Sequence, residues 1–515
     1  MILQGLELYD PRSSTTTQGD LEIEDGRILR LGQNLGNSGG SDNRFKGRFL
    51  MPAFFDAHTH FMMGGQMLEH LDCGSLKDGQ ALLSALQQRC DTIPAGSWLE
   101  GYGLDLDKIE LDLEAINRIT AGHFLFIQTH DLHSALANRP ALNQADINAS
   151  TPDPPDGRAR RDQNGNPTGI VSEGLVWKMR QQVAPPSTEE RQEAIARATR
   201  LAHSLGITAV SENASAADAQ LYRELDRAGE LQMQVDLWYR NGNFEASILD
   251  NPIVDTANTR AHAIKCFIDG AFGSRSAAMF DSYSDRDDRG VLMQEEDRIA
   301  EFAKQAVGAG WQLVMHAIGD RAVHVGLNAI AAAVEMQGQG RGRHRLEHVQ
   351  VIRKEDFQRM KQLQIVPSLQ PVHLSHDQQW FDTFLTEQQL ADTYRWLPFI
   401  EMDMTTPFGT DWPVEQLDPL LNLQTAVTRR SATGETAFKP EQSFSMARAL
   451  RGMTWDAAYG AFLEDRRGSL IPGLQADLVV LSENPFLLPH DEFEKLEVLA
   501  TWHRGEVVYC RRDLE

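Results

Sequence analysis

The feature that most constrains this chain is a recurring alternation. Short apolar runs of strand length lie at residues 49–56, 207–210, 235–239, 263–268, 312–316, 345–348, 365–369 and 406–411. Several are separated by stretches with helical periodicity, such as 188–204 and 297–309. Strands alternating with helices build parallel sheets, because a parallel crossover needs a long connection that a helix supplies. Eight such runs match the strand number of a (β/α)8 barrel. The expected fold class is therefore α/β, with a (β/α)8 TIM-like catalytic barrel over residues 51–464.

The two chain ends read differently. Residues 21–24 alternate apolar and polar, Asp25-Gly26 supplies a hairpin turn, and 27–31 is the returning strand. Residues 476–481 and 506–509 also read as strands, and 36–41 as a Gly/Ser/Asn-rich loop. Residues 1–50 plus 465–515 are thus expected to form one small β-sandwich domain. The stretch 75–185, with its turn-rich segment 151–157, does not fit barrel units. It is read as a subdomain inserted after the first barrel strand.

Composition narrows the function. Lys plus Arg number 49 and Asp plus Glu 73, a formal charge of −24. That balance argues against nucleic acid or an anionic membrane as the main partner. No run of apolar residues is long enough to cross a bilayer. The N-terminus lacks a basic region followed by an apolar run. The cysteines Cys73, Cys90, Cys266 and Cys510 are scattered, without the paired spacing of a disulfide framework or a CxxC zinc knuckle. A cytoplasmic enzyme acting on a small molecule is expected.

Five residues carry the chemistry. His58 and His60 lie two apart at the end of an apolar run, so in a strand both imidazoles face one side. His316, His348 and Asp411 each end another run. Functional residues of (β/α)8 enzymes gather at the C-terminal ends of the strands, and four histidines with one aspartate suit zinc. Lys265 interrupts the run Ile264-Lys265-Cys266-Phe267. It either snorkels or pairs with a carboxylate, or it is desolvated and less basic. A neutral amine there can add to CO₂ and form a carbamate.

Taken together, Pro52-Ala53-Phe54-Phe55-Asp56-Ala57-His58-Thr59-His60, the run from Ile264 through Lys265 to Arg275, His316-Ala317-Ile318-Gly319-Asp320, Arg345-Leu346-Glu347-His348, Gly409-Thr410-Asp411-Trp412-Pro413 and the tail Gly468 to Leu481 make a recognisable set. The chain resembles the amidohydrolase superfamily, in the family 3 branch that contains N-substituted formamide deformylase. The resemblance implies a binuclear metal centre, with two zinc ions per chain. His58, His60 and Asp411 would bind the more buried ion and His316 and His348 the other. Lys265 as a carbamate would bridge them, with Glu173 the alternative bridging carboxylate. A metal-bound hydroxide would attack, and Asp411 would pass its proton to the leaving amine. The family's Gly after the first Pro is Ala53 here, and its Asp-Gly-His reads Asp131-Leu132-His133.

His133, Arg275 and Trp412 are the candidate substrate-binding residues, with Asn138 a further one. Asp320 and Arg321 read as a structural pair, and strand alternation turns Glu347 away from His348. The expected activity is metal-dependent hydrolysis of an amide- or formamide-like C–N bond. The alternatives are a mononuclear deaminase or C–O hydrolase on the same barrel, then a metal-free interaction protein that keeps the fold. Oligomeric state stays open, a homodimer being common among related enzymes.

Overall fold

The computed structural model describes all residues except 36–40, 107, 130–133, 155–156, 339–341, 432–435 and 515. The loop read at 36–41 and the residue His133 therefore fall wholly or largely outside the described residues. The chain divides into two compact units, Met62–Ala198 and the remainder.

The larger unit contains the barrel. Seven parallel strands follow one another around it: Phe54–Thr59, Ile207–Ala214, Gln234–Asn241, Thr259–Phe267, Gln312–Ala317, Arg345–His348 and Val366–Ser368. The eighth position is filled by the segment 406–412. It bridges Leu369 through Phe408 on one side and Thr59 through Trp412 on the other. Backbone bonds from Gly409 N to Leu369 O (3.0 Å), Ala57 N to Phe408 O (3.0 Å) and Asp411 N to His58 O (2.8 Å) close the ring.

Helices Ala216–Ala228, Glu296–Gly308, Asp320–Gln337 and Lys354–Gln362 return the chain between successive strands. Ala216–Ala228 shows why such segments are helical and why they stop. Ser215 accepts from Asp218 N, Leu221, Tyr222 and Leu225 form a buried stripe, and left-handed Gly229 ends it. Long apolar runs such as Leu313, Val314 and Met315 are fully buried, as parallel strands covered by helices require.

The apolar run at 49–56 is two strands rather than one. Phe49–Pro52 belongs to another sheet and Phe54–Thr59 to the barrel. Pro52 has no N–H to continue a ladder, and after it Ala53 N turns to Asp477 O and Phe54 N to Gly206 O. That other sheet joins both chain ends in the order Glu506–Cys510, Val498–His503, Leu478–Leu481, Phe49–Pro52, Ile2–Asp10, Thr15–Glu24 and Arg27–Gly32. Its Asp25-Gly26 turn has φ of 47° and 74°, the two-residue hairpin expected from the sequence. Leu6, Leu21, Leu50, Leu478 and Trp502 form its core. Beneath it Asp477 joins Arg467 and His503.

The unit Met62–Ala198 has its own six-stranded sheet, in the order Gly157–Arg161, Pro167–Glu173, Ser134–Ala137, Phe124–Thr129, Trp98–Leu104 and Leu71–Asp72. Asn138, read from sequence as a candidate pocket residue, is instead a structural knot of this unit. Its amide donates to Thr120 O, Thr120 Oγ1 and His123 O and accepts from Leu125 N and Ala141 N. Every hydrogen-bonding site of the side chain is used there. Glu173 ends the strand Pro167–Glu173 of the same unit.

Candidate metal centre

The barrel strands are parallel, so their C-terminal ends meet at one rim. His58 precedes the end of the first strand by one residue, His316 precedes the end of the fifth by one, and His348 ends the sixth. Asp411 comes from the closing segment. Ligand atoms of His58, His348 and Asp411 all lie within 4.8 Å of one another, and all three residues are buried. His60 joins them through Asp411: His58 Nε2 and His60 Nε2 stand 3.5 and 3.2 Å from the same oxygen, Asp411 Oδ1. His316 packs its ring against His348 at 4.4 Å between centroids, while its Nε2 lies 3.1 Å from Gly270 O. Lys265 is fully buried, with Nζ 3.4 Å from His58 Nε2. Its ammonium faces the rings of Trp238 and Phe267, and no described carboxylate lies within ion-pair distance of it.

The backbone at this rim is strained. His348, Val349 and Asp411 have φ of 74°, 49° and 61°. Left-handed backbone is costly for side chains of this kind, about 1–3 kcal/mol each, and for β-branched Val most of all. The turn at His348 carries a consequence. Glu347 does not face away from its neighbour, as simple alternation predicts. It points into the barrel, where Oε2 lies 2.7 Å from His58 Nδ1 and Oε1 accepts from Arg345 Nε at 2.8 Å. Alternation holds only for continuous extended backbone, and the left-handed residue after Glu347 ends it. Arg345 is itself fully buried and also donates to Ala57 O and Ser368 Oγ.

Two more carboxylates set the loops. Asp56 accepts from His58 N, Thr410 N and Thr410 Oγ1, tying the first strand to the closing segment beside both ligands. Asp269 accepts from Ala278 N, Ile318 N and Gly319 N, tying the loops after the fourth and fifth strands. Burial pushes each up to about 7 despite these bonds. Gly409 permits the close approach of the closing segment: a Cβ there would lie 2.5 Å from His58 N and 2.6 Å from His58 Cβ.

Electrostatics favour neutral imidazoles and a charged second carboxylate. Burial pulls His58 down to about 4 and His316 to about 3, and moves His348 well below the usual range. Burial alone would raise Glu347, but Arg345 and the His58 hydrogen bond bring it down to about 2. A charged Glu347 accepts a hydrogen bond from His58 Nδ1–H, leaving Nε2 with a lone pair towards Asp411 and Lys265. Burial lowers Lys265 to about 8. His348 Nδ1 is buried without a hydrogen-bond partner. Neutral imidazoles beside a carboxylate, with lone pairs unused, are what a divalent cation with N/O preference requires.

Two of the candidate substrate residues, Trp412 and Arg275, lie among the described residues. Trp412 is buried beside Asp411 and packs edge-on to Phe61. Arg275 pairs with Asp285 at 2.8 Å and stacks on Phe384. Asp320 and Arg321 do not pair with each other: Asp320 holds Arg353 and Arg321 holds Glu296. Sequence reading missed Glu347, Asp56 and Asp269 as positioning groups and His373 altogether. For the three carboxylates the one signal available was a place within one to four residues of a candidate ligand; His373 had none.

Known proteins carry the same arrangement of chain. Protein LONG AFTER FAR-RED 3 of Arabidopsis thaliana is 28% identical over 98% of this chain and 90% of its own. N-substituted formamide deformylase of Arthrobacter pascens is 25% identical over 90% of this chain and 89% of its own. The crystal structure of a metal-dependent hydrolase from Pyrococcus horikoshii OT3 superposes with a TM-score of 0.79 at 25% identity, covering 95% of this chain and 99% of that one. The profile of the amidohydrolase family matches residues 45–509, from before His58 to the last terminal strand. The barrel, its buried histidines and this end-to-end match agree: the chain belongs to the amidohydrolase family.

Proposed function

We propose that this protein is a metal-dependent hydrolase of an amide- or formamide-like C–N bond. The observation that carries the reading is the buried convergence of His58, His348 and Asp411 on one point, with His60 on Asp411 and Lys265 on His58. The formamide deformylase of A. pascens, similar over nine-tenths of both chains, favours the C–N bond over other substrates of this barrel.

His58, His60 and Asp411 would hold one zinc ion and His316 and His348 a second. Lys265, fully buried and next to His58 Nε2, would carry the carbamate. Bound metal supplies a water of lowered pKa and a Lewis acid for the carbonyl. Glu347 fixes the His58 tautomer, and Asp56 and Asp269 fix the loops that carry the other donors. Asp411 presents Oδ1 to His58 and His60, and Oδ2 lies on the side of His373. That second oxygen is the group to accept a proton from water and return it to the leaving nitrogen.

The test is amine release. Zinc-loaded protein is assayed against formanilide, N-butylformamide, an N-acetyl amine, a phenyl ester and an aminopurine, with product identified by mass. Amine release from the formamides, abolished by chelation and restored by zinc, is the expected result. Turnover of the ester or aminopurine alone would move the reading to the alternative chemistries.

A further inference from the structure

The loop after the seventh barrel strand delivers a histidine that no ligand role accounts for. His373 lies in the short helix Pro371–Asp377. It is only 9% exposed, and its Nε2 is buried without a hydrogen-bond partner. That nitrogen points at the metal centre: it stands 3.7 Å from Asp411 Oδ2, and the ring lies 5.8 Å from that of His348. It does not join the compact group of His58, His348 and Asp411. The helix is fixed from outside, because Asn422 Oδ1 accepts from Val372 N and Tyr394 Oη donates to Asp377. The imidazole is therefore held in place beside Asp411 and His348, with Nε2 unpaired.

We propose that His373 is a further catalytic residue, whose Nε2–H donates to the scissile carbonyl oxygen as it becomes an oxyanion. The proposal rests on the C–N hydrolase reading above. Water oxygen bonds to the carbonyl carbon, the π pair moves onto the carbonyl oxygen facing His373, and Asp411 takes the water proton. Collapse breaks the C–N bond with its pair on nitrogen, and Asp411 returns the proton there. The products are a carboxylic acid and an amine, and His373 keeps its proton throughout. A buried imidazole needs no reorganisation to make that bond, and donors of this kind contribute about 10²–10³-fold to rate.

The test compares zinc-loaded wild type with His373→Phe, which keeps a ring without a donor, and His373→Gln, which keeps an N–H. Folding is checked by thermal melting and zinc content by mass spectrometry. Orthophosphate, a tetrahedral oxyanion, is titrated calorimetrically, and kcat and KM are measured on formanilide. Expected are unchanged zinc content, at least tenfold weaker phosphate binding in His373→Phe, and kcat lower by about 10²–10³-fold with KM within threefold. His373→Gln should recover most of both losses. Zinc lost from His373→Phe would make His373 a ligand and overturn the proposal. So would unchanged phosphate affinity, or a zinc-loaded wild type that binds no phosphate. If wild type releases no amine from any formamide, the C–N reading fails, and the phosphate titration still decides the role of His373.

Discussion

Replacing Glu347 with Gln tests whether the centre depends on a group that touches no candidate ion. Glu347 accepts from His58 Nδ1 at 2.7 Å and from Arg345 at 2.8 and 3.2 Å, with no exposure to water. A glutamine has one acceptor oxygen for these donors and adds an NH₂ that must face one of them. If the NH₂ faces His58, the imidazole must switch its proton to Nε2, the atom directed at Asp411. Outer partners of this kind are worth about 10–100-fold in metal affinity, or about 1.4–2.7 kcal/mol. Arg345 meanwhile loses the buried carboxylate it is paired with, and breaking a buried pair costs about 3–5 kcal/mol. The variant should therefore melt earlier even without metal and bind zinc at least tenfold more weakly. The assay is a zinc titration of stripped protein against a competing chelator, with circular dichroism confirming the fold. Zinc affinity within threefold of wild type would refute the claim that Glu347 orients His58.

Three further outcomes are expected. His348→Ala should lose at least one zinc ion per chain and essentially all metal-dependent turnover, measured by elemental analysis and amine release. Gly409→Ala should disable metal binding without altering any ligand, because the added Cβ would meet immovable His58 backbone and Cβ atoms within 2.6 Å; wild-type zinc content in a folded variant would contradict this. His344 accepts from Leu313 N and is held by burial at about 4, below its ordinary value. A depressed histidine contributes stability that is present above its unfolded pKa of about 6.5 and lost as pH falls towards 4. His344→Gln should flatten the fall in denaturant midpoint across that window, and an unchanged slope would assign the pH dependence to other groups.

The fold was legible because its signals are local. Seven of the eight apolar runs became barrel strands within a few residues of their expected ends, since a strand buried on both faces must be apolar along its length. The eighth, 406–412, is a strand by position more than by ladder. Pro407 and Gly409 interrupt it, and its bonds to the flanking strands are isolated bridges. The merging of 49–52 with 54–59 failed for a related reason. A continuous apolar run says that a segment is buried, not which sheet buries it, and the switch at Pro52 depends on partners hundreds of residues away.

The site divides along the same line. His58 and His60 are visible because they lie two apart at the end of one apolar run, His58 within the strand and His60 just past it, and His316, His348 and Asp411 because each ends an apolar run. Strand alternation puts Glu347 on the wrong face because the extended backbone it requires ends at His348. The left-handed φ at His348 is a tertiary strain that periodicity does not record. Asp56 and Asp269 look like ordinary acids in sequence; only the three N–H or O–H groups that converge on each reveal what they hold. His373 is further still from the sequence signal, on a short helix after a three-residue strand. Its importance lies in a nitrogen left without a partner, and an absence of that kind exists only once the whole barrel is closed around it.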